Sequence, residues 1–325
     1  MSKAKKQMIS MDIIRIFACF SVMAVHIANA FNIPGRVGQF MQAGSSGLGI
    51  FYILSGFLGF FSLDYNKGSI GKWYSKRFIR ILPIYYFVLV VYVCIFGLGL
   101  QKVPEWFGGL GWTTYFLCLN TIFPKFDSYW YSFGALSSMS VFIWFYILAP
   151  IIKKIIDSYS KSIIFILITF GISKVLSSTQ WLGAFKVFYY FAIGICAYYA
   201  VKEGKEIITT VVFCSVMALL TLAGSQSGII YALIFGTLIT NSTQLSIENI
   251  YINRVIGFLS ERTFAIYLGH ATIYQLMPQL GIEKNIKGFV LFVVYSLVAI
   301  FIIHEVVEKY TMKLYNVLVK KMERV

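Results

Sequence analysis

An all-α fold is what this sequence predicts: a polytopic integral membrane helical bundle of about ten transmembrane helices, with both termini cytoplasmic. Three observations lead there. Hydrophobic residues make up 58% of the chain and charged ones only 13%, with a mean hydropathy of +0.76. Apolar stretches of the roughly 17–25 residues needed to cross a bilayer recur along the whole length. Lysines and arginines collect on alternate connecting loops, as the positive-inside rule requires. A soluble globule is excluded, and the 325 residues read as a single transmembrane domain, 1–325.

In order, the expected spans are 11–31, 47–63, 80–100, 135–152, 162–178, 184–201, 206–223, 226–240, 257–277 and 286–306. The first, MDIIRIFACFSVMAVHIANAF, imitates a secretory signal, with Lys3, Lys5 and Lys6 ahead of it and Ala28-Asn29-Ala30 near its end. Asp12 and Arg15 interrupt it where a signal is uncharged, so a true first helix is expected. The second span carries Ser55-Gly56, with Gly49 and Gly59 nearby, small residues that let helices approach closely. The third is introduced by KWYSKRFIRILPIYY, which places Arg77 and Arg80 on one helix face ahead of Pro83 and a Tyr85-Tyr86 pair.

The stretch 109–125, opening GLGWTTYFLCLNTIF, is glycine-led, short and bounded by Pro124. If it does not cross, only seven of the 28 Lys and Arg lie outside: Arg36, Lys102, Lys125, Lys174, Lys186, Lys284 and Lys287. If it crosses, everything after it flips and the division becomes even. The segment is therefore expected to be an outer-surface or re-entrant piece, tolerated at depth only where protein covers its backbone. The ninth span brings Tyr267 and His270, and the last ends at His304 beside Glu305.

The formal charge of +15 does not point to nucleic acid, because no basic-aromatic module accompanies it. Its concentration on the inner loops accounts for it. The five cysteines are scattered through apolar stretches without metal or redox spacing, so no metal site is expected.

Chemistry concentrates in the first helix. At about 100° per residue, Arg15 and His26 project from one face, roughly 16 Å apart along the axis. Asp12 shares that face, and Ala18, Cys19 and Val22 fill the line between. A polar-ended stripe in a membrane helix is costly and marks a functional candidate. His26 is the proton-transfer candidate, the alternative being an interhelical hydrogen bond. His270, beside Tyr267 and Gly269, suits either a substrate pocket or a packing contact. His304 reads as part of a local interfacial ion pair with Glu305. Lys76, Arg77 and Arg80 are either lipid-facing positive-inside charges or a phosphate clamp, since arginine gives bidentate contacts to phosphate oxygens. Arg15 either snorkels with Asp12 as partner or holds an anionic part of a ligand.

Taken in order, Arg15 and His26 separated by ten residues, FYILSGFL, RFIRILPIYY and TFAIYLGH resemble the acyltransferase 3 family. These are membrane-bound O-acetyltransferases of bacterial polysaccharides and related glycans. The closing VVEKYTMKLYNVLVKK resembles the family's exit, with Tyr310 where proline is common. One departure stands out: SSMSVFIWFYILAP occupies the place of a WSLxxEExFYxLxP segment, with Ser137 for the tryptophan and Phe142 and Ile143 for the glutamates.

The resemblance implies a multi-pass protein of the cell membrane that moves an acetyl or similar acyl group from cytosolic acetyl-CoA, as co-substrate, to a glycan or lipid-linked glycan hydroxyl. On that reading His26 is catalytic, and Arg15, Lys76, Arg77 and Arg80 bind the acyl donor. Ser55, Tyr267 and His270 are candidates for the acceptor or the oxyanion, and the donor's pantetheine arm runs up a groove beside the first helix. The rival class is a transporter or flippase of lipid-linked sugars, which intramembrane polar residues and broken spans would suit. No inverted repeat supports it, and the polar residues gather in the first three helices. A relative that has lost catalysis with the acidic pair is the third possibility.

Overall fold

The computed structural model describes residues 3–66, 68–95, 110–123, 134–224, 228–243, 245 and 247–322, and no β-strand occurs among them. The chain runs through α1 (Lys3–Phe31), α2 (Gly35–Gln42), a 3-10 turn (Ala43–Ser46) and α3 (Gly47–Asp64). Then come α4 (Ile70–Tyr92), α5 (Leu110–Phe116), α6 (Gly134–Ile155), α7 (Tyr159–Leu176), α8 (Phe188–Glu203), α9 (Glu206–Leu222) and α10 (Gly228–Ser242). It closes with α11 (Ile250–Leu276), α12 (Ile286–Phe301), a π-helical segment (Ile302–Glu308) and α13 (Lys309–Met322).

Seven stretches of the described residues are long and apolar enough to cross a bilayer: Ile9–Phe31, Gly35–Asp64, Ile70–Ile95, Gly134–Ile155, Tyr159–Leu176, Gly183–Glu203 and Ile286–Val317. The sequence led us to expect about ten. The difference has identifiable causes. α9 and α10 are apolar but only 17 and 15 residues long. α11 has 27 residues but carries Arg254, Glu261 and Arg262. The third expected span begins ten residues early, so Arg77 and Arg80 lie inside α4; its end, 96–100, falls outside the described residues.

The chain divides into two compact units, one made of 1–66, 148–178 and 185–263, the other of 67–147, 179–184 and 264–325. The first unit is organised on α8, whose residues from Phe191 to Ala197 are all buried. α3, α7 and α10 pack around it. The α3–α8 crossing is tight because glycine stands on both sides. A Cβ on Gly56 would lie 2.3 Å from the Phe191 carbonyl oxygen, and one on Gly194 would lie 1.9 Å from that of Ile53. The close-packing reading of Gly56 thus holds. At one end of the unit, Asp64 gathers Lys153 at 2.8 Å, Lys202 at 2.5 Å and the Tyr198 hydroxyl.

The second unit contains the short stretch 110–123. Its seven-residue helix α5 rises only about 10 Å, a third of the hydrocarbon thickness, and turns follow it to Phe123. Protein donors satisfy its carbonyls. Tyr85 and Tyr86 donate to the carbonyls of Tyr115 and Phe116 at 2.7 and 2.8 Å, and Trp144 Nε1 donates to Cys118 at 3.0 Å. The backbone N–H groups of Leu182 and Ala184 reach Ile122 and Thr121 at 2.8 and 2.9 Å. This is the cover that non-helical backbone needs at membrane depth. The flanking residues Gly109, Pro124 and Lys125 lie outside the described residues.

Candidate active site

His26 sits on α1, half-buried, beside an unusual second span. That span is not one helix: α2 and a 3-10 turn precede α3, and the turn Ala43-Gly44-Ser45-Ser46 lies directly on α1. Gln42 donates to Asn29 at 2.6 Å, one turn beyond His26. Toward the other side, a Cβ on Gly44 would come within 2.3 Å of the Ser21 carbonyl oxygen, and one on Gly47 within 2.7 Å of that of Ala18. The segment 42–47 therefore runs antiparallel along α1 as a strap, and His26 falls between its upper and lower contacts. The strap was not singled out from the sequence, although AGSSG, a run of small residues ahead of an apolar stretch, is its signature.

The face joining Arg15 to His26 is filled. Ala18 and Cys19 are 0% exposed, Val22 touches the strap at Gly47, and Cys19 Sγ donates to the Thr263 carbonyl at 3.3 Å. The groove expected beside the first helix is thus closed along this face. Arg15 Nη1 lies 3.0 Å from both Asp12 Oδ1 and Ser260 Oγ, and Ser260 donates to Asp12 at 2.5 Å. The Asp12 partnership considered for Arg15 is present, with Ser260 of α11 as an unforeseen third member.

Ser55 is half-buried and is not brought to His26. Gly47 lies level with Ala18–Val22 of the antiparallel α1. Eight residues further along α3, Ser55 comes level with about Asp12, roughly 20 Å along the axis from His26.

The second unit holds the basic cluster. Lys76 and Arg80 are exposed and Arg77 is half-buried on α4. The Arg77 guanidinium lies 5.7 Å from the Trp73 ring centroid and 5.3 Å from that of Tyr146, both rings being buried. Cation–π contacts of this kind set the orientation of a planar guanidinium.

Tyr267 and His270 lie together in the same unit, their ring centroids 6.0 Å apart. His270 is 0% exposed, and its Nδ1 stands 2.6 Å from the Ile266 carbonyl oxygen. A carbonyl only accepts, so Nδ1 carries the proton, and Nε2 is the basic nitrogen of the neutral ring. Ser138 Oγ donates to the Ala135 carbonyl at 2.7 Å, so in its 2.7 Å contact with Tyr267 the phenol supplies the hydrogen. Tyr92 of α4 neighbours Thr272 and Tyr267. Twelve residues separate Tyr92 from Arg80, which puts Tyr267 and His270 roughly 18 Å along the bundle from the basic cluster.

The mid-chain segment is apolar at Phe142 and Ile143 and presents hydroxyls ahead of them. Ser140 donates to Asn120 Oδ1 at 2.6 Å, and Asn120 Nδ2 donates to Ser137 at 3.2 Å, tying α6 to the short stretch after α5. Ile143 is buried. His304 has its nearest acidic partner in Glu308, at 3.0 Å, with Glu305 at 3.8 Å. The expected local contact with an acidic neighbour is present, with its nearer partner one turn further on.

Residues 8–305 of the chain match a family model described as an acyltransferase domain. No curated protein and no solved structure matches the chain.

Proposed function

Because the chain belongs to the acyltransferase 3 family, we propose that it moves an acetyl or similar acyl group from cytosolic acyl-CoA to a hydroxyl of an extracytoplasmic or lipid-linked glycan. It is a multi-pass membrane acyltransferase, and we take its residues 1–325 as one domain of about ten spans, counting α9, α10 and α11 as crossings. Both termini would lie on the cytoplasmic side of the cell membrane. The observation that carries the reading is the match over residues 8–305, which takes in the Arg15–His26 helix, the basic cluster and His270.

The chemistry follows from the residue types. The acceptor oxygen bonds to the thioester carbonyl carbon, the C–S bond breaks, and CoA leaves as a thiol. His26 takes the hydroxyl proton and returns it to the departing sulfur, or carries the acyl group itself in a two-step route. Donor phosphates are anionic and belong at the basic inner ends, so Lys76, Arg77 and Arg80 would hold them. The aromatic bracket of Arg77 supports that role. Arg15 has a carboxylate beside it and would contribute less. Tyr267 and His270 would orient the acceptor, whereas Ser55 is too far along its helix to serve a reaction centred on His26.

The test is acyl transfer by purified, reconstituted protein, set beside a mass-spectrometric glycan profile of cells with and without it. A mass increment that appears only with the protein identifies the acyl group. Identical profiles and an inert protein would instead favour the flippase reading.

A further inference from the structure

Gly269 of α11 and Ile300 of α12 meet at close range: a Cβ on Gly269 would lie 3.0 Å from the Ile300 backbone nitrogen. The short connection 277–285 returns α12 beside α11 in the opposite direction, so levels along the pair can be counted from that contact. Thr272 is three residues beyond Gly269 and Ser296 four before Ile300. That sets them level to within about 2 Å, each on the face turned to the other helix. Both are buried, at 6% exposure.

Neither hydroxyl is satisfied. Thr169, Thr209, Thr240 and Ser140, buried on other helices, each donate to the carbonyl four residues back at 2.8–3.1 Å, the usual refuge of a hydroxyl in an apolar helix. Thr272 Oγ1 and Ser296 Oγ do not, and they meet no other partner among the described residues; nor does Gln275 Oε1, one turn beyond Thr272. The Tyr92 phenol stands near Thr272 and Tyr267, outside hydrogen-bond geometry to Thr272. Gln275 and Tyr274 are half-buried, so the row leads from Ser296 and Thr272 toward the more exposed end of α11. Unsatisfied polar atoms are few inside proteins and costly, and each calls for a partner.

We propose that this row is a subsite for a neutral sugar ring of the acceptor, whose hydroxyls bond Thr272, Ser296 and Gln275 Oε1 while Tyr92 and Tyr267 line it. Sugar hydroxyls both donate and accept, which suits two hydroxyls and an amide oxygen that only accepts. Charge fixes the class. Residues 81–95, 134–147, 264–282 and 288–303 contain no Asp, Glu, Lys or Arg, so a uronate or an amino sugar would bury its charge there unpaired. The inference rests on the acyl-transfer reading, for which it names the acceptor class.

The experiment uses the full chain in phosphatidylcholine nanodiscs and saturation-transfer NMR. The probes are the methyl glycosides of glucose, galactose, mannose and rhamnose, with those of glucuronic acid and glucosamine as charged counterparts. At least one neutral glycoside should receive saturation, and the charged ones should not. Thr272→Val with Ser296→Ala should cut that transfer several-fold without lowering the thermal midpoint, since it removes hydroxyls that bond nothing in the sugar-free protein. Binding that survives the double variant, equal binding of the charged glycosides, or no neutral glycoside bound overturns the proposal. So does a lower midpoint, which would mean that buried water already holds the hydroxyls. Acetyl-CoA turnover, followed in parallel, tests acyl transfer separately: sugar binding without turnover supports the subsite and sinks the transfer reading.

Discussion

The ammonium of Lys153 lies 2.8 Å from Asp64 Oδ1, joining the end of α6 to the end of α3. It also meets the Tyr199 hydroxyl at 2.9 Å, and the rings of Phe60, Tyr198 and Tyr199 lie 4.7–5.2 Å away. Their side chains are 18% and 23% exposed, so the pair is largely withdrawn from water, although Lys202 on the same carboxylate is about half exposed. Asp64→Asn leaves two ammonium groups sharing a neutral amide. The expected cost is about 2 kcal/mol, below the 3–5 of a fully buried broken pair. The thermal midpoint in detergent should fall, and Asp64→Leu with Lys153→Met should recover part of the loss. An unchanged midpoint for Asp64→Asn would show that the cluster is ornamental.

The strap on α1 makes a second prediction. Gly44→Ala places a methyl 2.3 Å from a backbone oxygen, which only a shift of the strap relieves, at a cost of about 1–3 kcal/mol. Gly171→Ala is the control, since its methyl meets nothing within 4 Å and alanine favours a helix by up to about 1 kcal/mol. If both variants melt alike, the strap is looser than the packing implies.

The tyrosine pair supplies a third. Tyr85→Phe removes a buried donor from the Tyr115 carbonyl, which keeps the Cys118 N–H at 3.0 Å, costing about 0.5–1.5 kcal/mol. Tyr86→Phe removes an exposed bond and should cost less. Hydrogen exchange across 110–123 should quicken in the first variant and barely change in the second. The reverse order would refute the burial argument.

A fourth separates donor binding from chemistry. Arg77→Ala with Arg80→Ala should weaken acetyl-CoA binding by about 1.5–3 kcal/mol, while His26→Gln leaves binding intact and slows transfer by about 10²–10⁴-fold. Normal transfer in His26→Gln would move the chemistry to His270.

How far the sequence alone reached depends on what each signal reports. Hydropathy reports where a helix is apolar, so the described part of every expected span is mostly helical, and the shortness of 109–125 foretold the short helix and turns seen over 110–123. Charge inside an apolar run is costly, which made Arg15 and His26 visible. Partners across helices leave no such trace. Asp64, Lys153 and Lys202 look like ordinary span-end charges until α3, α6 and α8 end together. Ser55 was a candidate for its place near the middle of the neighbouring span, and the strap, which sets α3 lower against α1, has no hydropathy signature.

The stretch 110–123 also bears on how the chain is made. When it emerges, Tyr85 and Tyr86 have already been synthesised, so the carbonyls of Tyr115 and Phe116 find their donors at once. The Cys118 carbonyl must wait for Trp144, and those of Thr121 and Ile122 for Ala184 and Leu182, some sixty residues later. Until α6 and the residues that follow α7 have been made, these three carbonyls lack those donors. A ribosome stalled just before residue 184 would leave behind a chain with its first five spans made and this backbone seam open.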